Sequence, residues 1–436
     1  MNRRSDVIVR WVLGAAVLVG TLAAVLGCAS TSERSPLVEN PESHPWREDL
    51  AVFAGELEQG HRDLFFQLPR SEFAAMIRDL SDRAPELSAA EFDLELRAIL
   101  AAVGDAHTIM SYPFDPLFPV AFYQFQEGIY CMGAVPEYAE ALSAQLVAVD
   151  GASLERVSAM AREITPHDND SQIAMMVPMY LMMPEILHGT GLIQSARRAE
   201  FTFRDEQGTT FTVPVAAASR QRAGDIVSLK DRLREIGAPQ PLSRRNNDRA
   251  YWHTFDSDRA LMYVQYNVCR DDPQRPMDAF AATVLDRIDT SDPEHVVVDL
   301  RRNSGGDSRV LKPLIDGLVT RHRSGASYQL SVIIGRDTFS SAVLNAIALK
   351  QEAGAIFVGE PSGGRPNHYG EVRTFKLPNL GRTVQYSTKY FTHYDPADGS
   401  DPPALMPDRM APPSFPAYVQ GRDPALEAIG LGPGTP

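Results

Sequence analysis

Three patterns of apolar and polar positions follow one another along the chain. The first is an unbroken apolar stretch from Trp11 to Leu26 behind Arg3, Arg4 and Arg10. A positive start ahead of such a stretch reads as an export signal rather than a folded element. The second pattern, from about Pro45 to Val103, is helical. Its clearest helix begins at Ser88-Ala89-Ala90-Glu91, which has the form of a capping box. Phe92, Leu96, Ile99, Leu100 and Val103 then share one helical face, and Gly104 stands where a C-cap glycine belongs. Asp105-Ala106-His107-Thr108 therefore leaves a helix end for a loop, a place where rigid support and exposure combine. The third pattern is a series of continuous apolar runs, His295–Leu300, Leu330–Gly335 and Ala355–Gly359, preceded by another strand over Ala260–Tyr266. Helical stretches from about Arg309 to Val319 and from Ser340 to Lys350 separate these runs. Apolar strands alternating with helices predict parallel pairing with right-handed crossovers. Ligand sites in such a core lie outside the carboxyl ends of the strands.

Between the second and third patterns the text is mixed. Gln145–Val149 reads as a strand entering a tight turn at Asp150-Gly151, with a helix after it, and Phe201–Val215 alternates like a hairpin around Glu206-Gln207-Gly208. Met175, Met176, Met179, Met182 and Met183 are expected to fill core rather than to form an adaptable binding surface. A charged stretch from Ser243 to Arg249 marks a boundary.

The length of 436 residues predicts two or three folded units, and 44% hydrophobic with 22% charged residues is the composition of a globular protein. A net charge of -14, with no basic run after the first dozen positions, argues against a nucleic-acid partner. Cys131 and Cys269 remain beyond Cys28, and sequence alone cannot pair them; two buried free thiols are expected at least equally. No Cys/His spacing points to zinc, and no phosphate loop or dinucleotide fingerprint is present, so neither metal nor organic cofactor is expected.

Val25-Leu26-Gly27-Cys28 resembles the bacterial lipoprotein cleavage box. The resemblance implies a signal peptide over 1–28, lipidation of Cys28 and a flexible tether over 29–45. It also implies a lipid-anchored protein facing the periplasm, and Ala29, where an inner-membrane retention signal would have Asp, favours the outer membrane.

Ser340 falls at or near a helix N-terminus, where free backbone N–H groups and the helix dipole would stabilise a developing negative charge. Taken alone, a capping role for Ser340 or Ser341 explains the same residues. Their company adds more. Asp299-Leu300-Arg301-Arg302-Asn303-Ser304-Gly305-Gly306, Thr338-Phe339-Ser340-Ser341-Ala342 and Gly359-Glu360-Pro361-Ser362-Gly363-Gly364 resemble, in order and spacing, three motifs of the tail-specific (C-terminal-processing) and tricorn-type serine peptidases. Gly-Asp-Ala-His-Thr at 104–108 resembles an N-terminal motif of that family.

The resemblance implies an α/β fold in which a crotonase/ClpP-like spiral of βα units over 250–425 follows a helical N-terminal subdomain over 46–114. The mixed region over 115–249 resembles, with a long insertion, a PDZ-like peptide-binding module. Ser340 is then the nucleophile, with Gly305 or Gly306 and Ser341 supplying oxyanion-hole amides. Two departures matter. Arg365 stands where many members carry a lysine base, and a guanidinium cannot accept the serine proton. Val343 stands where a Glu often follows the nucleophile. The tricorn-type route uses a histidine instead, and His107 is the matching base, with Asp401 or the local Asp105 to orient it and His368 as the rival base. Arg365, and His368 beside it, are candidates to bind substrate, the guanidinium through a terminal carboxylate. The expected function is a cell-envelope serine peptidase acting on peptide or protein substrates. The alternatives are a catalytically inactive ligand- or peptide-binding protein on the same fold, and a hydrolase of non-peptide esters or amides. The oligomeric state is not legible.

Overall fold

A computed structural model describes residues 34–395 and 401–432. The expected signal peptide, its Cys28 and the first part of the tether lie outside the described residues, among which no helix is long and apolar enough to cross a membrane.

The N-terminal part is built from helices α1 (Pro45–Gly60), α2 (Arg70–Arg83) and α3 (Ala89–Val103), followed by the short strand β1 (Ile109–Met110). The local signals around α3 are realised. Ser88 and Glu91 form a reciprocal capping box, and Gly104 ends the helix at φ 78°. All five residues of the expected apolar face are buried.

The middle part is a sheet of β2 (Val120–Phe125), β3 (Gly128–Ala134), β4 (Gln145–Val149), β6 (Arg198–Arg204) and β7 (Thr210–Ala216) in that order, with short β5 (Ala152–Ser153) on β4 and β8 (Val227–Ser228) on β3. Helices α4 (Leu154–Ile164) and α5 (Asp170–Tyr180) belong to this part. The expected hairpin is the β6–β7 pair, turning at Gly208 with φ 84°. Met176, Met179, Met182 and Met183 are core residues, with Met175 packed against them.

The third part carries β9 (Tyr251–Asp256), β10 (Leu261–Tyr266), β11 (His295–Asp299), β12 (Gln329–Ile334), β13 (Ile356–Gly359) and, late in the chain, β16 (Arg409–Met410). They form one sheet in the order β16-β13-β12-β11-β10-β9, parallel from β10 to β16 and antiparallel only at β9. Helices α6 (Met277–Ser291), α7 (Lys312–Arg323) and α8 (Ser341–Ala353) cover one face, where Val296, Val298, Val332 and Ile334 join their core. The alternate residues Val297, Ile333 and Val358 pack on the other face against Trp252, Tyr263 and Leu426. Burial on both faces is why these strands read as continuous apolar runs.

One hairpin does not stay with its neighbours. Strands β14 (His368–Lys376) and β15 (Thr383–Phe391) pair with each other, and β15 pairs with β1. Phe73, Leu100 and Met110 share a core with Leu377, Val384 and Tyr386, so the hairpin folds onto the N-terminal helices. Its tip is held by Asp49 of α1, whose buried carboxylate accepts the N–H of Asn379 at 2.8 Å and of Leu380 at 2.6 Å.

Candidate active site

The loop between β12 and α8 places Ser340. Thr338 shapes it: its hydroxyl donates to the Leu300 carbonyl at 2.9 Å and accepts the Gly335 N–H at 3.0 Å. Phe339 N–H donates to the Asn303 carbonyl at 3.1 Å, tying the loop to the glycine loop after β11. The chain then reaches Ser340 at φ 51° and ψ -126°. A non-glycine residue held there carries strain of roughly 1–3 kcal/mol, and such positions cluster where function demands an exposed side chain. Ser340 occupies the N-cap of α8, yet its side chain makes no capping hydrogen bond. The simple capping role therefore does not account for it. Ser341 is engaged, donating to the Gly306 carbonyl at 2.6 Å.

Gly305 packs directly against this corner. At φ 106°, a Cβ on Gly305 would stand 2.8 Å from the Ser340 Cβ and 3.1 Å from the Ser341 nitrogen. Gly306, at φ 131°, is pressed against the Cys269 carbonyl, which a Cβ would meet at 2.3 Å. The two amides differ. Gly305 N–H donates to the buried Asn303 Oδ1 at 2.9 Å. Among the described residues Gly306 N–H has no partner, and Ser341 N–H is a first-turn helix amide. Of the two glycines expected as oxyanion donors, Gly306 is thus the one whose N–H is uncommitted among the described residues. Asn303, quoted only as part of a motif, fixes the loop: its Nδ2 donates to the Tyr266 carbonyl at 3.0 Å.

His107 comes from the other side. Its ring stacks on Phe339, the residue before Ser340, with centroids 4.4 Å apart, and lies nearly parallel to His368 at 5.3 Å. His107 is 4% exposed, and neither ring nitrogen has a hydrogen-bond partner. Burial first, then the neighbouring His368 ring, push its pKa down to about 3 against the pull of the Asp105 carboxylate. The β14–β15 hairpin is what delivers His368, and it also buttresses His107: Gln385 Nε2 donates to the His107 carbonyl at 2.9 Å.

Asp105 does not bond to the His107 ring. Its Oδ1 accepts the His107 backbone N–H at 2.9 Å, and its Oδ2 accepts from Thr108 Oγ1 at 2.5 Å and meets His61 Nε2 at 3.0 Å. His61 Nδ1 accepts the Asp63 N–H at 3.1 Å, so its proton sits on Nε2 and is given to Asp105. Burial works to raise the Asp105 pKa, but the His61 bond and the nearby His107 outweigh it, and the carboxylate stays below its usual range. His61 was invisible in the sequence reading; nothing local marks a histidine at a helix end as the partner of an aspartate 44 positions later.

Asp401 is not at the His107 ring either. Its Oδ2 accepts from Arg365 Nη2 at 2.9 Å, so it serves as a counter-charge to that guanidinium. Arg365 N–H donates to Asp168 Oδ2 at 3.0 Å. The Asp168 pKa is pushed up to about 7, by burial first, with Asp105 and Asp401 adding to it. His368 contributes Nδ1 to the carbonyls of Arg365 at 3.0 Å and Pro366 at 3.2 Å, which places its proton on Nδ1. Next to Asp168, Asn169 Nδ2 reaches the carbonyls of Ser362, Gly363 and Pro403, clamping the Met-rich insertion onto the loop after β13. Among the described residues no group of three or more His, Cys, Asp or Glu could hold a metal ion. Cys131 and Cys269 are free and buried.

The sequence matches no protein-family model and no curated protein. The structure does find likenesses. It is similar to mature CPAF complexed with lactacystin at a TM-score of 0.64 and 14% identity, over 89% of this chain and 98% of that one. It is similar to mature CPAF itself at a TM-score of 0.56 and 14% identity, over 86% and 95% of the two chains. The chain therefore shares the fold of CPAF along nearly its whole described length.

Proposed function

We propose that this protein is a serine peptidase of the tail-specific or tricorn type, with Ser340 as nucleophile and His107 as general base. The observation that carries the reading is the strained Ser340 corner, whose hydroxyl is left out of helix capping while an unpartnered imidazole stacks against the preceding residue. Ser340 Oγ attacks the peptide carbonyl carbon as its proton passes to a His107 ring nitrogen. The N–H groups of Gly306 and Ser341 receive the carbonyl oxygen as it becomes an oxyanion. The same imidazole returns the proton to the leaving amine, and water then hydrolyses the acyl-enzyme. Asp105, held anionic beneath the loop, acts on the imidazolium through space and not through a ring hydrogen bond. Arg365 and His368 flank the site and contact substrate.

The same reading takes the third part as a crotonase-like spiral of βα units, in keeping with its parallel strands and one-sided helices, and the seven-stranded sheet as a degenerate PDZ-like module. It also places the protein in the cell envelope, anchored through Cys28. Treatment with a fluorophosphonate probe tests the chemistry. The expected result is one adduct on Ser340, absent in Ser340→Ala and formed more slowly in His107→Ala. A folded protein that gives no adduct with small, unhindered probes would instead be a binding protein on this fold.

A further inference from the structure

A cavity lies outside the carboxyl ends of β11, β12 and β13. Its walls include Arg301-Arg302 and Gly335–Asp337, the two segments that run on to Gly305 and Ser340. The seven-stranded sheet contributes Tyr123, Phe125 and Met132, and the C-terminal segment contributes Tyr418. Most of the charges here are matched. Arg301 pairs with Asp299 and Asp423, Arg336 with Glu360, and Arg422 with Glu427.

Arg244 is one exception. It is 4% exposed and pairs with no carboxylate; one terminal nitrogen donates to the Tyr418 carbonyl while the guanidinium lies 3.6 Å over the Tyr418 ring. Its other terminal nitrogen, Nη1, and the Tyr418 hydroxyl make no hydrogen bond of good geometry, although the two side chains lie close enough to act on each other. Lys230 registers the same local excess of positive charge: burial first, then Arg302, Arg234 and Arg244, push its pKa down to about 8. Asp423, already in contact with Arg301, acts on Arg244 only from a distance, and a buried guanidinium with no carboxylate in contact is a costly arrangement unless something completes it.

We propose that this cavity binds a singly charged carboxylate carried on an apolar body, with Arg244 and the Tyr418 hydroxyl as the groups that receive the carboxylate. The aromatic and aliphatic wall from Tyr123, Phe125, Met132 and Ile333 accommodates the apolar body. The acids already on the wall, Asp337, Glu360 and Asp423, would repel a doubly charged phosphate. The carboxylate could belong to a small organic acid or to the end of a peptide.

The test uses the full-length protein carrying Ser340→Ala, so that binding is read without turnover and independently of the peptidase reading. Calorimetric titration with phenylacetate should show one site, with phenylacetamide at least tenfold weaker. Arg244→Gln should weaken phenylacetate at least tenfold. Ala411→Phe, on the half-buried cavity wall, should do the same if Arg244→Gln does not fold. A short peptide ending in a free phenylalanine carboxylate, compared with its amide, assigns the source: tighter binding than phenylacetate points to a peptide end, weaker binding to a small acid. Equal binding of acid and amide, no binding of either, tighter binding of inorganic phosphate, or full affinity in a folded Arg244→Gln protein would overturn the proposal.

Discussion

Gly305→Ala separates the site from the scaffold. At φ 106° an alanine is strained, which costs roughly 1–3 kcal/mol. The added methyl would also stand 2.8 Å from Ser340 Cβ and 3.1 Å from both the Phe339 oxygen and the Ser341 nitrogen. Backbone lies on two of those three sides, so the Ser340 corner or the amide beside it must shift. Losing one oxyanion donor lowers acyl-transfer rates by about 10²–10³, and that is the drop expected in the fluorophosphonate labelling rate, followed by intact mass. Gly325→Ala is the control. It too has a positive φ, 82°, but its Cβ meets nothing within 4 Å. Gly325→Ala should lose only the stability that its strained φ costs, Gly305→Ala should lose more because its methyl is also crowded, and Gly325→Ala alone should keep its labelling rate. A folded Gly305→Ala protein that labels within about threefold of wild type would refute the placement of Gly305 against the nucleophile.

Three further outcomes are expected. In pH-dependent melts, His107, with a folded pKa of about 3, withdraws stability as pH falls from about 6.5 toward 3, because the unfolded chain takes up the proton first. Asp168, at about 7 when folded against 3.8, works the other way over much of the same window, so Asp168→Asn should steepen the loss between pH 6.5 and 4; an unchanged slope would count against these two assignments. Cys131 and Cys269, both pushed up to about 12 by burial, should resist iodoacetamide in the native protein and react on unfolding, read by peptide mass spectrometry. Ser88→Ala, which removes the hydroxyl that accepts the Glu91 N–H but keeps the backbone N–H that Glu91 caps, should cost about 1 kcal/mol in denaturant melts; no change in midpoint would deny the side-chain cap a role.

What was legible in the sequence is what local physics dictates. The capping box at Ser88, the Gly104 stop, the hairpin at Gly208 and the apolar runs of β11, β12 and β13 each announce themselves within a few residues. So did the Ser340 corner, as a strand-to-helix turn. The β14–β15 hairpin was not legible as a partner of the N-terminal helices, because its strands show no clean alternation (Glu371, Val372, Arg373 and Thr374 are exposed in a row) and its buried residues match any apolar face. With that pairing unseen, neither the His107–His368 stack nor the His61–Asp105 bond could be anticipated. Asp401 was expected at the histidine on motif position alone. The nearer counter-charge, Arg365, decided otherwise once the chain was folded.

The unmet polar atoms around this site bear on how it would work. Buried polar groups are ordinarily hydrogen-bonded, and leaving one unpaired costs about 1–3 kcal/mol. Both His107 nitrogens, Arg365 Nε and Asp401 Oδ1 are buried without partners, and the charges of Asp105, Asp401 and Arg365 act on Asp168. A histidine whose pKa lies near 3 is neutral at physiological pH, as a resting base must be, but it is a weak acceptor for a serine proton. On the proposed mechanism substrate changes that balance. A peptide in the site supplies polar groups for the unmet atoms, and an oxyanion forming at the Gly306 and Ser341 amides places negative charge beside the imidazole just as it takes the proton. Asp105, already anionic and fixed by His61, adds to the same effect. The base then strengthens only when a carbonyl is in place to be attacked, which on this proposal keeps the site quiet until substrate arrives.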